Sequence, residues 1–375
     1  MVTSVPLVDL RAQEAQVRAE ALAAIEQVAI EAAFVLGARV EAFEAWLAQA
    51  CGARHAVGVA SGTDAVELAL RALGVGPGDA VVTPSLSFIA AAEAVTATGA
   101  RPVFCDVDPE TMNASPRTVE EAIARARKAG LGARAVVPVD LFGLSCPVTG
   151  IAAVAAGEGA VVVEDAAQAV GGRDAEGRPA GGAADAGCVS FFPTKNLGAW
   201  GDGGAVVTSR DDVASRVRSL RAHGAVRPYV HAEAGRNSRL DALQAAVLLA
   251  KTRHLPGWLH ARARIASRYV AALGDLPLVL PRVPSAPAAH AWHAFVVRTP
   301  RRDALAAFLR ERGVDTRVYY PVPLHRQECF RALGEPALPA SEQASAEALA
   351  FPIFPTMTED QQGHVIDATR RFFER

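Results

Sequence analysis

Lys195 lies in the stretch VSFFPTKNLGAWGDGGAVVT, between a short apolar run and a cluster of glycines. It is one of only three lysines, with Lys128 and Lys251, in a chain whose lysines and arginines together number 38. Arginine cannot be deprotonated in a protein, whereas a lysine amine can lose its proton and attack a carbonyl. Lys195 is therefore a candidate for Schiff-base chemistry. The alternative is a surface lysine with no chemical role.

Other residues bear on that choice. In AVVVEDAAQAVGG, Asp165 closes an apolar run that reads as a buried strand, where an unpaired carboxylate is costly. A protonated pyridine nitrogen would partner it, and Gln168, three residues on, would reach a phenolic oxygen at the same strand end. A helix cap on the following segment is the competing reading. In VASGTDAVELAL, Ser61-Gly62-Thr63-Asp64 opens a helix whose free N–H groups and positive dipole end suit an anion, although a Ser61–Asp64 capping box needs no ligand. Ser190 ends its own strand and can donate to a phosphate. Phe88, in TPSLSF, starts a helix after a strand; its ring would stack on a flat cofactor or serve as a core aromatic. Together these supply a phosphate cradle, an acid for a ring nitrogen, an aromatic face and an amine for an aldehyde. That set points to pyridoxal 5′-phosphate.

The elements that must position these residues follow from periodicity. Residues 11–50 read as two helices broken at Gly37. From Val57 onward short β-rich runs (HAVGVA, DAVVTP, RPVFCDV, ARAVVPVD, GAVVVED) alternate with helices expected at 63–73, 88–98, 116–129 and 149–156. Such alternation predicts an α/β fold with a mostly parallel sheet, covered by helices. DAGCVSFF and GGAVVTS then read as two strands flanking the Lys195 turn. Beyond about residue 245 come a long helix from Trp258 to Leu273, a Pro-rich connector DLPLVLPRVPSAPAAH, and AWHAFVVRT, a helix over 301–312 and VDTRVYYPVP, read as a small α+β unit. The expected division is a large domain over 1–245, N-terminal helices included, and a small C-terminal α+β domain over 246–375.

Composition excludes several classes. A length of 375 residues, 51% apolar and 21% charged, with a formal net charge of −2, is that of a globular enzyme. No basic patch calls for nucleic acid or an anionic membrane. The five cysteines, at 51, 105, 146, 188 and 329, are scattered without a C-x-x-C pair, so neither a disulfide framework nor a metal site is expected. No signal peptide and no uncharged run of membrane-spanning length is visible, and the expected location is the cytoplasm.

The stretches VPLVDLRAQ, SGTDAVELALRALGVGPGDAVVTPSLSFIAAAEAV, VEDAAQAVGG, SFFPTKNLGAWGDGGAVVT, GRNSRLDALQAA and YYPVPLHRQ resemble, nearly end to end, the DegT/DnrJ/StrS family of PLP-dependent sugar aminotransferases. The resemblance implies the aspartate-aminotransferase-like fold (fold type I) and a homodimer with shared active sites. It implies that Lys195 bonds the cofactor and later carries the proton, that Asp165 keeps the pyridine nitrogen protonated, and that Gln168 contacts the ring hydroxyl. Phe88 would cover one ring face. Gly62, Thr63 and Ser190 would bind the phosphate, joined by Asn237 of the neighbouring subunit; its own context, GRNSRLD, reads only as a turn or cap. Arg239, Tyr320 and His325 are weaker candidates for substrate contact, since HAWHAFVVR and VYYPVPLHRQ resemble segments that face a sugar nucleotide. The implied reaction moves an amino group from L-glutamate, through pyridoxamine 5′-phosphate, to a nucleotide-linked keto-sugar, with a 3-keto hexose on dTDP or UDP favoured. A 4-keto sugar or cyclitol aminotransferase, or a non-catalytic ligand-binding regulator, are the alternatives; a dehydratase of the family would carry histidine in place of Lys195. Arg236 and the run Leu144-Ser145-Cys146 depart from the family pattern near the expected acceptor site.

Overall fold

The computed structural model describes residues 4–284, 289–334 and 336–374. Three helices open the chain: α1 (Leu10–Ala15), α2 (Arg18–Glu31) and α3 (Ala38–Ala50). Then follow β1 (His55–Val59), α4 (Gly62–Ala72), β2 (Ala80–Pro84), α5 (Ala90–Ala97), β3 (Arg101–Cys105), α6 (Pro116–Lys128), β4 (Ala133–Val136), α7 (Val148–Gly157) and β5 (Val161–Asp165). Next come β6 (Ala186–Ser190), β7 (Gly204–Thr208), α8 (Asp211–Leu220), a short hairpin of β8 (Ala225–Arg227) and β9 (Val230–His231), α9 (Ala242–Thr252) and α10 (Leu255–Leu273). The chain ends with β10 (Phe295–Arg298), α11 (Arg302–Arg310), α12 (Pro339–Glu347), β11 (Ala348–Phe351) and α13 (Glu359–Phe373).

Seven strands form one sheet in the order β1-β7-β6-β5-β4-β2-β3. Only β7 runs against its neighbours, pairing antiparallel with both β1 and β6. The apolar character of the strands follows from cover on both faces. Leu68 and Leu70 of α4 with Val213 and Val217 of α8 pack on one set of strand residues, and Ile123 of α6 and Ile151 of α7 on another. Phe43 and Leu47 of α3 close the β1–β7 end against Phe191. Valines such as Val81 and Val163 are fully buried, and each contributes about 1.5–3 kcal/mol by leaving water.

A separate apolar cluster gathers α10, α11 and α13 around the β10–β11 pair, with Tyr269, Phe295 and Phe351 at its centre. Val5 belongs to this cluster, as does Phe372 near the other end of the chain. The N–H of Val5 donates to Gly313 O at 2.7 Å, and the N–H of Asp315 to Val5 O at 3.0 Å. From there the N-terminal segment runs back to the large sheet.

Several expectations need correcting. The two helices expected over 11–50 are three, because the first breaks near Val17 as well as at Gly37. VDTRVYYPVP forms no strand; it makes two isolated bridges, Val314 to Val5 and Arg317 to Ala350, and then turns toward the large sheet. The partner of β10 is instead β11. Part of the Pro-rich connector, 285–288, lies outside the described residues. Among the described residues no helix is long and apolar enough to cross a membrane, and no cluster of His, Cys, Asp and Glu is arranged to hold a metal.

Candidate active site

A cavity of about 480 Å³ opens at the carboxyl edge of the parallel strands, where α/β sheets hold their ligands. Each strand end delivers part of its wall. Ser61, Gly62 and Thr63 follow β1; Ser87 and Phe88 follow β2; Val139 and Phe142 follow β4; Asp165 and Gln168 end or follow β5; Ser190, Thr194 and Lys195 end or follow β6. Because β7 is reversed, Asp202 and Gly203 arrive at the same edge just before it begins.

The phosphate-like corner is built from close backbone approach. Ser61 caps α4, its Oγ accepting the Asp64 N–H at 3.0 Å. The reciprocal half of a capping box is absent from this pair: the Asp64 carboxylate accepts instead from Ser238 Oγ at 2.6 Å. Gly62 and Thr63 lie in the first helical turn, whose N–H groups have no partner inside the helix. A Cβ on Gly62 would stand 2.7 Å from Ser190 Cβ, and one on Gly204 only 2.3 Å from Ser61 O. Glycine at both positions is what lets β6, β7 and α4 meet at one point.

Asp165 is buried, and its Oδ1 accepts the Ala167 N–H at 3.0 Å. The helix that the competing reading placed after it does not form; residues 167–171 are turns. Burial pushes the carboxyl above its usual range, opposed by the Ala167 N–H and by the Lys195 charge. The Lys195 amine is pushed down to about 8 by the protein around it, with Asp165 working in the other direction. The two groups thus share one low-dielectric site and each steadies the charge of the other.

Gln168 is held in one orientation. Its Oε1 accepts the Phe142 N–H at 2.7 Å, which turns Nε2 toward Tyr320, whose hydroxyl accepts at 3.3 Å. Tyr320 in turn faces Phe88, centroid to centroid at 6.2 Å, and Phe88 remains 56% exposed. His293 lies on the same wall; its Nδ1 is buried without a partner. Burial, with Lys195 and Arg262 nearby, holds that imidazole neutral, its protonation pushed far below the ordinary range. The Lys195 turn is docked to the same segment, Asn196 Nδ2 donating to Ala291 O at 2.7 Å.

The structure therefore brings Gly62, Thr63, Phe88, Asp165, Gln168, Ser190, Lys195 and Tyr320 to one cavity. It leaves Asn237, Arg239 and His325 off that wall. Asn237 is exposed, bridged through its backbone to Ala222, and Arg239 is half-buried. His325 does not offer itself to a substrate: its side chain is enclosed, with Nδ1 on Ser85 Oγ at 2.6 Å and Nε2 on Glu342 Oε1 at 2.9 Å. Arg236, singled out as a departure, pairs with the buried Glu67 at 2.7 Å. None of the run Leu144-Ser145-Cys146 lines the cavity: Leu144 faces a separate cleft beside His290 and Cys146 is buried in the core, while Phe142 just before the run does face the cavity. Ser87, Phe142, Thr194, Asp202, His293 and Tyr319 also line the wall, with Ala90, Ala167 and Phe192, and were not expected. Of these, Ser87, Thr194 and Tyr319 adjoin Phe88, Lys195 and Tyr320 in sequence, and Asp202 adjoins Gly203, a local signal that His293 and Phe142 lack.

An amine and a carboxylate sharing a cavity, an anion corner at a helix N-terminus, an oriented amide and an exposed aromatic face define a site for a phosphorylated aldehyde cofactor on an α/β transferase scaffold. The unpartnered His293 Nδ1 and the donor set fit such a group. The chain belongs to the DegT/DnrJ/EryC1/StrS aminotransferase family, whose model matches residues 15–370. It is 42% identical over 376 residues to a "Pleiotropic regulatory protein" of Geobacillus stearothermophilus, covering 99% of each chain. It is also 42% identical over 373 residues to the dTDP-3-amino-3,4,6-trideoxy-alpha-D-glucose transaminase of Streptomyces venezuelae, covering 99% of this chain and 97% of that one. Among solved structures, S. venezuelae DesV in complex with a ketimine intermediate superposes with a TM-score of 0.94 at 42% identity, over 100% of both chains. The protein is thus an aminotransferase of the PLP-dependent fold, with pyridoxal 5′-phosphate as its cofactor.

Proposed function

We propose that this aminotransferase moves an amino group from L-glutamate to a nucleotide-linked keto-sugar, with a 3-keto hexose on dTDP or UDP as acceptor. The observation that carries the reading is the pairing of Lys195 with Asp165 in one cavity at the sheet edge. The acceptor class is supported by the transaminase relative that matches over nearly the whole chain.

When bound, the cofactor supplies an aldehyde that exchanges amines and a protonated pyridine ring that withdraws electrons from the carbon beside it. Asp165 holds the ring nitrogen protonated, and the amide of Gln168 donates to the ring hydroxyl. The first turn of α4, with Thr63 and Ser190, grips the phosphate, while Phe88 shields one side of the ring. Asn237 completes the phosphate grip from a partner subunit of a homodimer. Lys195, once free of the cofactor, would have an amine held near 8, far enough below an ordinary lysine for its uncharged form to be accessible around neutral pH and to take the proton from Cα of the amino donor. Tyr320, on the cavity wall, is assigned to the acceptor side. We also propose that the division into domains 1–245 and 246–375 and the cytoplasmic location hold; the separate cluster around β10 and β11 supports the former.

The test is the visible spectrum of the cofactor-loaded protein before and after L-glutamate, followed by borohydride trapping and peptide mapping. Loss of the lysine-bound band with glutamate, and trapping on Lys195 without it, is the expected result. A bound cofactor that glutamate leaves unchanged would sink the donor assignment. Trapping elsewhere than Lys195 would sink the site. Acceptor identity is then read by amination of dTDP- and UDP-linked 3-keto hexoses against 4-keto hexoses and ketoinositols.

A further inference from the structure

Only Lys128, Lys195 and Lys251 are lysines, and Lys251 has no part in the site just described. It is nevertheless 1% exposed, at the end of α9. Its Nζ donates to Gly198 O at 2.7 Å, three residues beyond Lys195, and to the Glu14 carboxylate of α1. The other oxygen of Glu14 accepts the indole N–H of Trp200, and the Lys251 ammonium lies 6.0 Å from the centre of that indole. The backbone N–H of Trp200 donates to Gln244 Oε1 at 2.9 Å, again from α9. From behind, Gly198 is pressed on Pro193 O so closely that a Cβ would stand 2.3 Å away. The far half of the Lys195 turn is therefore clamped between its own near half and a buried ion pair.

We propose that Lys251 and Glu14 are positioning residues for Lys195: they fix the main chain of 198–200 and so set where the Lys195 amine meets the cofactor. A buried ion pair is a poor source of net stability, because desolvation offsets its attraction, but it specifies one geometry. The residue type agrees. A compact ammonium fits between one carbonyl, one carboxylate oxygen and an indole, whereas the planar fork that this chain prefers elsewhere needs more partners in one plane.

The inference rests on Lys195 bonding the cofactor, and the experiment separates the two. Wild type, Lys251→Met and Glu14→Gln are loaded with pyridoxal 5′-phosphate. Bound cofactor, the fraction trapped on Lys195 by borohydride, Tm, and kcat and KM for L-glutamate are measured. Wild type that does not trap on Lys195 defeats the functional reading itself. If wild type traps fully, the variants are expected to bind cofactor but lose about threefold or more in trapped fraction, with kcat down about tenfold to a hundredfold and KM within about twofold. Glu14 is partly exposed on a short helix, so Glu14→Gln serves if Lys251→Met does not fold. A folded variant with undiminished trapping and kcat, whatever its Tm, overturns the proposal.

Discussion

At the scale of single residues, the site is a matter of two opposed charges in a poorly solvated place. Lys195 is held near 8 because burial disfavours its ammonium more strongly than Asp165 favours it. The reactive form is the neutral amine, which predominates above that value, so the rate at which apoprotein captures pyridoxal 5′-phosphate is expected to rise with pH through a midpoint near 8 and then level off. A free lysine would keep rising beyond pH 10. Stopped-flow absorbance across pH 6–10.5 checks this, after allowance for the cofactor's own ionisation. Asp165→Asn removes the charge that props the ammonium up, so the same midpoint should move below 8. In the loaded enzyme that variant also loses the acid facing the ring nitrogen, and kcat should fall about a hundredfold or more with the cofactor still bound. Asp165, Lys195 and Gly62 were legible in sequence because each sits beside its own strand-to-turn signal. His293, Phe142 and Tyr319 were not, although HAWHAFVVR and VYYPVPLHRQ stand out as segments: nothing local says which side chain of a stretch turns into a cavity built from distant parts of the chain. His325 misled for the converse reason: a histidine beside YYPVP looks available, and only the packing of Ser85 and Glu342 shows both nitrogens engaged.

At the scale of elements, the strands were readable because cover on both faces forces continuous apolar runs. The misses have local causes. The break between α1 and α2 carries neither glycine nor proline. In SAEALAFPIF nothing marks where α12 stops, and Ala348-Leu349-Ala350 favour a helix in isolation; pairing with β10 overrides that preference. The reversed strand β7 has a stricter requirement. Its first residue meets the cap of α4, so Gly204→Ala forces Cβ into Ser61 O. That substitution is expected to destabilise the fold by about 1–3 kcal/mol. It should also weaken binding of inorganic phosphate and of the cofactor, because the anion corner is what moves. Urea melts and a cofactor titration report the two effects separately.

At the scale of the whole molecule, Asn237 is exposed and does not line its own chain's cavity, as expected of a residue serving a partner's site. Lys195→Ala and Asn237→Ala are each expected to be inactive as homodimers. If sites are shared, a hybrid dimer has one doubly damaged site and one intact site. Random reassortment should then recover about a quarter of wild-type activity. Recovery of none would mean that Asn237 acts within its own chain, and an active Asn237→Ala homodimer would mean that it does not act at all. Native mass spectrometry of the mixture confirms that hybrids formed.

The beginning and end of the chain share one apolar cluster, Val5 and Phe372 both packing around β10 and β11. A circular permutant that joins the two ends by a short flexible linker and opens between Glu176 and Gly177 should keep its fold and its cofactor band. That exposed turn is held by hydrogen bonds within residues 173–178 and by Arg178 to Thr149 of α7. Opened instead between Leu197 and Gly198, the same circle should lose the band, since Lys195 would then hang from one end only.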